Sequence, residues 1–272
     1  MRQIEMSLKQ LKLKGMQRSL QALEQAKRIY ELSFIDGLEL LLESELEERQ
    51  QSRFERHIRG AKFRYQASMA ELDFDPTRGL NKDLLTRLAT CEFIAKGEAI
   101  LITGKTGSGK SFLASALGHQ ACLHGYSVAY YNMHKLMAKI KIARLEGSLL
   151  KFFDKIAKTQ LLIVDDFGLS SLDKQQQYDL MEIIEDRHAK TSTIISSQLP
   201  IACWYDVISE STIADAIMDR LVHTAYKIEL KSENSLRNKK NEINQAGGAT
   251  SPKYPQLICI TILEKELFSW ML

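Results

Sequence analysis

The stretch Gly104-Lys105-Thr106-Gly107-Ser108-Gly109-Lys110-Ser111 is a glycine-rich loop ending in Lys-Ser, and its flanks say what kind of loop it is. The apolar run Ala99-Ile100-Leu101-Ile102-Thr103 leads in as a buried strand, and Phe112-Leu113-Ala114-Ser115-Ala116-Leu117 leads out as a helix. Glycines let the backbone curl until several N–H groups point at one anion, and the helix N-terminus adds the positive end of its dipole. In such a phosphate-binding loop Lys110 reaches the β- and γ-phosphates and the Ser111 hydroxyl ligates Mg²⁺. Strand before and helix after are the context the motif requires, so residues 104–111 predict a nucleoside triphosphate site.

Outward from the loop the pattern alternates. Further strands are expected at 127–131, 160–164, 192–196 and 226–230, with helical patterns at 110–124, 133–145, 149–157, 174–189 and 211–223. Strands separated by helices imply crossovers, a parallel sheet and helices on both faces. The expected fold class is therefore α/β, a three-layer P-loop domain of about five strands. Residues 1–95 read as all-helical, with Leu8, Leu11, Met16, Leu20 and Leu23, then Leu38, Leu41, Leu42 and Leu46, near helical spacing and Ser33 as an N-cap between them. Asp73–Gly79 reads as a loop, which places the boundary between a helical domain (1–95) and the nucleotide domain (96–240). Residues 241–272 form a tail behind a Gly-Gly linker, to which no function is assigned.

Leu161-Leu162-Ile163-Val164-Asp165-Asp166 is the second motif. Its apolar residues bury the strand, and the acids emerge at the C-terminal edge, where open α/β sheets hold their ligands. Asp165 is the candidate to hold the Mg²⁺ touched by Ser111, and Asp166 to orient or activate the attacking water. Thr193-Ile194-Ile195 exits into Ser196-Ser197-Gln198, so either Ser197 or Gln198 meets the γ-phosphate if this strand lies between the two motif strands. Arg220 ends an amphipathic helix, where a pair with Asp219 or a solvated cation is the ordinary reading.

Composition adds exclusions. Apolar residues make up 44% and charged residues 26%, ordinary for a globular chain, and no run approaches a membrane span. The N-terminus lacks the apolar core of a signal peptide, and Cys91, Cys122, Cys203 and Cys259 form no C-x-x-C pair, so a cytoplasmic protein without structural zinc or disulfides is expected. The net charge of +3 implies no nucleic-acid partner by itself. Charge is concentrated instead: Arg49, Arg53, Arg56, Arg59, Lys62 and Arg64 face a single acid, Glu55, within residues 49–64. On a continuous helix Arg49, Arg53, Arg56 and Arg64 share one narrow sector, with Phe54, Ile58, Ala61 and Tyr65 nearly opposite. Such a stripe is either a solvated face or a phosphate-contacting one. The preceding Leu38–Glu48 is acidic and fits another subunit or a basic partner better than DNA.

The ordered set of Gly104–Ser111, Asp165-Asp166-Phe167-Gly168-Leu169, Ser196-Ser197-Gln198-Leu199-Pro200 and Asp219-Arg220-Leu221-Val222-His223 resembles the IstB-type ATPases of insertion sequences, relatives of the DnaC-type helicase loaders in the AAA+ class. The resemblance covers about residues 1–240 and implies an AAA+ sheet, ATP and Mg²⁺ as ligands, and sites shared between subunits of a homo-oligomer. It implies that Arg220 acts in trans as an arginine finger, and that Arg237 falls where related ATPases carry a second phosphate-sensing arginine. It also implies non-specific binding of double-stranded DNA, through the basic stripe, and a cognate transposase helped in choosing its target. A helicase loader is the nearest rival, separable by preference for single strands. A small-molecule kinase is remote, because no arginine-rich lid is present.

Overall fold

In the computed structural model, which describes residues 2–72 and 79–231, all five apolar runs form strands: β1 (Ile100–Gly104), β2 (Val128–Asn132), β3 (Leu161–Phe167), β4 (Ser192–Ser197) and β5 (Tyr226–Leu230). They pair in parallel in the order β2-β3-β4-β1-β5. The strand carrying Ser196 and Ser197 thus lies between the P-loop strand and the strand carrying the acids, as the phosphate-sensing expectation requires.

Helices precede the sheet as α1 (Arg2–Gln10), α2 (Lys14–Gln25), α3 (Phe34–Ala61), α4 (Lys82–Ala89) and α5 (Glu92–Ala95). Those woven through it are α6 (Lys110–Leu123), α7 (Met133–Leu145), α8 (Leu149–Lys158), α9 (Lys174–Arg187), α10 (Trp204–Ile208) and α11 (Ser211–Val222). Alternate strand residues explain the two covered faces. Leu101, Leu162, Val164 and Ile195 point into a core with Leu136, Ile156, Ile183 and Ile217 from α7, α8, α9 and α11. Ile163 points the other way, where its Cδ1 would lie 2.8 Å from a Cβ added to Gly118 of α6. Local signals match the elements: Asp173 and Gln176 form a capping box on α9, and Ser33 Oγ accepts from the Asp36 amide at the start of α3. The short α10, unread in the sequence, buries Trp204 against Phe167, with ring centroids 4.7 Å apart.

Contacts divide the described residues into two compact units, one ending at Glu55 and one beginning at Arg56. This division falls ahead of the boundary expected near residue 96, because α4 and α5 pack on α6 and β4 and so belong with the sheet. In the first unit α2 and α3 touch where Gly15 leaves no room for a Cβ, which would lie 2.2 Å from the Ser44 carbonyl. Glu45 accepts from the Gly15 and Met16 amides, at 2.8 and 3.3 Å, supplying a carboxylate to the N-terminal end of α2. Burial works against that charge, yet hydrogen bonds from Arg49 and the two amides hold its pKa below the usual value. Of the acidic segment, Glu45 is therefore used internally, and Glu48 pairs with Arg18 at 2.9 Å. Leu38, Leu42 and Leu46 keep the helical spacing but are exposed rather than core. The Asp73–Arg78 part of the expected loop, Arg237, Cys259 and the tail lie outside the described residues. Within them, no helix is long and apolar enough to cross a membrane.

One buried cation ties the sheet edge together. Arg187, 1% exposed at the end of α9, donates to the Ile156 and Thr159 carbonyls at 2.6 and 2.7 Å, to Thr193 Oγ1 at 3.0 Å, and to the Ser192 carbonyl. All of these partners are neutral, and burial lowers the guanidinium pKa to about 9, still charged at neutral pH. Arg187→Ala leaves a cavity and unmatched carbonyls, so urea unfolding should show a loss of about 3 kcal/mol. A loss below about 0.5 kcal/mol, the range of an ordinary surface change, would remove Arg187 from the stabilising interactions.

Candidate nucleotide site

The loop after β1 needs its glycines. Gly104, Gly107 and Gly109 have φ of +147°, +81° and +98°, a region costly for residues with a Cβ. At Gly104 a Cβ would also lie 2.4 Å from the Leu230 carbonyl. Lys105 and Thr106 form the exposed crest, and the Ser108 side chain is buried beneath it. Gly109 caps α6, so Lys110 and Ser111 open the helix whose N-terminus faces the loop. Lys110 is buried, and its Nζ donates to the Gly104 and Lys105 carbonyls at 2.8 and 2.9 Å, which fixes the ammonium over the loop.

Ser111 Oγ donates to Asp165 Oδ1 at 3.0 Å, joining the two motifs. A hydroxyl and a carboxylate side by side form the hard-oxygen pair that suits Mg²⁺. Asp165 has no solvent exposure and accepts further hydrogen bonds from Tyr130 and Ser196. Burial, then the neighbouring Asp165 charge, raises the Tyr130 pKa, so its hydroxyl stays a donor.

Asp166 departs from strand geometry. The β3–β4 register shifts between Val164 and Phe167, and Asp166 takes a left-handed φ of +60°. In a regular strand adjacent side chains leave by opposite faces, and a bulge re-aims them. Here one nitrogen, Arg64 Nη1, reaches both acids, at 2.9 Å from Asp166 Oδ2 and 3.5 Å from Asp165 Oδ2. Asn132 Nδ2 donates to the same Asp166 oxygen at 2.8 Å.

Of the two phosphate-sensing candidates, Ser197 turns away: it donates to the Phe167 carbonyl at 2.7 Å and accepts from the Leu199 amide. Gln198 is the one at the loop, its Oε1 accepting from Thr106 Oγ1 at 2.6 Å. Arg220 is not held by Asp219, which pairs with His223. Its Nη2 lies 2.5 Å from Glu185 Oε2 and its Nη1 donates to the Ala216 carbonyl, leaving the side chain 25% exposed.

The basic stripe needs one correction. Helix α3 stops at Ala61, and Lys62 takes a left-handed φ of +57°, so helical spacing does not extend to Arg64. Arg64 leaves the sector of Arg49, Arg53 and Arg56 and lies on the acid pair instead. Arg49, Arg53, Arg56, Arg59 and Lys62 are all exposed, and Arg49 also pairs with Glu45 at 2.8 Å. Cys91 and Cys122 are core thiols that burial pushes up to about 12. Sequence reasoning missed Tyr130, Asn132, Ser196 and Arg64 as neighbours of the acids. The strand-edge rule, had it been extended to the neighbouring strands, would have reached Asn132, in register with Asp165, and Ser196. Nothing in the sequence pointed to Arg64.

The chain as a whole is similar to known proteins. An insertion-sequence ATP-binding protein of Sinorhizobium fredii is 41% identical over 212 residues, covering 78% of this chain and 86% of its own length. The ATP-binding protein of insertion sequence IS21 from Pseudomonas aeruginosa is 25% identical over 93% of this chain and 95% of its own length. Among solved structures, AMPPCP-bound DnaA from Aquifex aeolicus matches with a TM-score of 0.56 at 18% identity, over 71% of this chain and 58% of that one. DnaI matches with a TM-score of 0.51 at 21% identity, over 61% of this chain and 92% of that one, and both likenesses show the shared fold. The family description "IstB-like ATP binding protein" matches residues 6–244. The chain belongs to the IstB-like ATP-binding proteins of insertion sequences.

Proposed function

We propose that this ATP-binding chain is an ATPase that assembles on double-stranded DNA and prepares the target for the transposase of its insertion sequence. The observation that carries the catalytic part is the convergence of Ser111, Asp165 and Asp166 at the C-terminal edge of the sheet, beside the P-loop. Mg²⁺, held by Ser111 and Asp165, would supply charge neutralisation to the β- and γ-phosphates. Lys110 binds the same phosphates, and Asp166 orients the attacking water. Gln198, beside Thr106, is better placed than Ser197 to detect the γ-phosphate. Arg220 completes the site of a neighbouring subunit once it leaves Glu185. DNA contact is assigned to exposed Arg49, Arg53, Arg56, Arg59 and Lys62, as a salt-sensitive interaction with phosphates. Such a protein works in the cytoplasm, where its DNA target lies.

The decisive experiment is ATP turnover with no DNA, duplex DNA or single-stranded DNA across a range of protein concentrations. Stimulation by duplex that rises cooperatively with concentration is expected; preference for single strands would favour a helicase loader. Lys110→Ala should lose nucleotide binding, and Asp166→Asn should keep it while turnover falls by about a hundredfold or more. Unchanged turnover in Asp166→Asn would exclude that acid. Neither Arg220→Ala nor Lys110→Ala should turn over ATP alone, yet mixing them should restore part of the rate, because an intact loop then meets a neighbour's arginine. No recovery would place Arg220 outside a shared site. Arg53→Glu with Arg56→Glu should weaken duplex binding about tenfold or more at fixed salt, and unchanged affinity would make the stripe a solvated face.

A further inference from the structure

Arg64, a cation of the basic segment, is tied to the acid pair of the site. Several residues deliver it there. Lys62 turns the chain out of α3, and the Phe63 ring packs 5.1 Å from His119 and 6.2 Å from Tyr130, centroid to centroid. Gly118 makes room for that ring: a Cβ there would lie 2.5 Å from Phe63 Cε1. With Phe63 seated, the next side chain faces the edge of β3, and its guanidinium meets both carboxylates.

We propose that Arg64 is a positioning residue of the ATPase site, orienting Asp166 and screening the Asp165–Asp166 charge from the bound triphosphate. This inference rests on the nucleotide reading above. Orientation follows from the hydrogen bonds. Arg64 and Asn132 both donate to Asp166 Oδ2, so the lone pairs of Oδ1 are the ones neither donor engages, and Oδ1 is the oxygen that orients water. Screening follows from charge. Adjacent carboxylates repel a triphosphate bound at the loop, and a guanidinium 2.9 and 3.5 Å from them cancels part of that repulsion independently of any metal. Its side chain is 40% exposed whereas Asp165 has no exposure, so replacing Arg64 opens no cavity in the core.

The test compares wild type with R64Q, R64K and R53E. Affinity for a fluorescent ATP analogue is measured with Mg²⁺ and with EDTA, beside ATP turnover, duplex-DNA affinity and melting temperature. In R64Q, Mg²⁺-free nucleotide affinity should fall about fivefold while affinity with Mg²⁺ changes by less than about twofold. Turnover should fall about tenfold or more at nearly constant KM, the signature of a misplaced catalytic group. R64K keeps the charge but carries it on a compact, strongly hydrated ammonium of different reach, so it should recover Mg²⁺-free affinity and leave turnover low. Duplex affinity should drop in R53E and not in R64Q. Wild-type turnover and an unchanged Mg²⁺ dependence in R64Q would overturn the proposal, as would a DNA defect matching R53E. Should R64Q melt early, R64K decides: wild-type turnover in R64K overturns the positioning role. A wild-type chain that binds no nucleotide would instead overturn the nucleotide reading itself.

Discussion

The buried carboxylate of Asp165 is the constraint around which the rest of the site is arranged. An ionised group with no solvent exposure is tolerable only when donors surround it. Here the donors come from separate elements: Ser111 from α6, Tyr130 from β2 and Ser196 from β4, with Arg64 nearby. Each donor is on an element that the parallel sheet brings to the same edge. Satisfying one acid therefore sets the positions of the P-loop helix and the neighbouring strands relative to each other. The geometry that suits a divalent cation is also the geometry that keeps this carboxylate paired.

The second acid depends on a local departure from regularity. A left-handed aspartate is uncommon but less costly than most residues in that region. The bulge at Asp166 brings adjacent side chains to a common partner, which the pleat of a regular strand forbids. Strain of this kind persists only where neighbours over-determine it. Arg64 and Asn132 hold the Asp166 side chain, and Phe167 is locked under Trp204.

Two cations named from sequence have acidic partners within the chain that the sequence did not show. Arg64, expected on a DNA-facing stripe, lies on the acids, and Arg220, expected at a partner's phosphate, rests on Glu185 within its own chain. The Glu185 contact is compatible with a trans role, because a partly exposed ion pair is weak and readily exchanged for a stronger anion. Both cases show long side chains choosing among several reachable anions, a choice made by distance across the fold.

The sequence by itself determined the nucleotide fold nearly completely. Strand and helix positions follow from periods of two and 3.6 and from apolar runs between breakers, all local properties of the chain. The P-loop and the acid-ended strand were legible for the same reason, since each is a contiguous motif whose chemistry depends on adjacent residues. The N-terminal helices were legible as helices, whereas their leucines' exposure and the division at Glu55 were not, because burial depends on partners distant in sequence. Only the tertiary structure decided that Gln198 rather than Ser197 stands at the loop, that Tyr130 and Ser196 hold Asp165, and that Arg64 belongs to the acid pair. The physical reason is separation: Arg64 and Asp166 are 102 residues apart, and their contact depends on a helix stopping at Ala61 and a bulge opening after Val164.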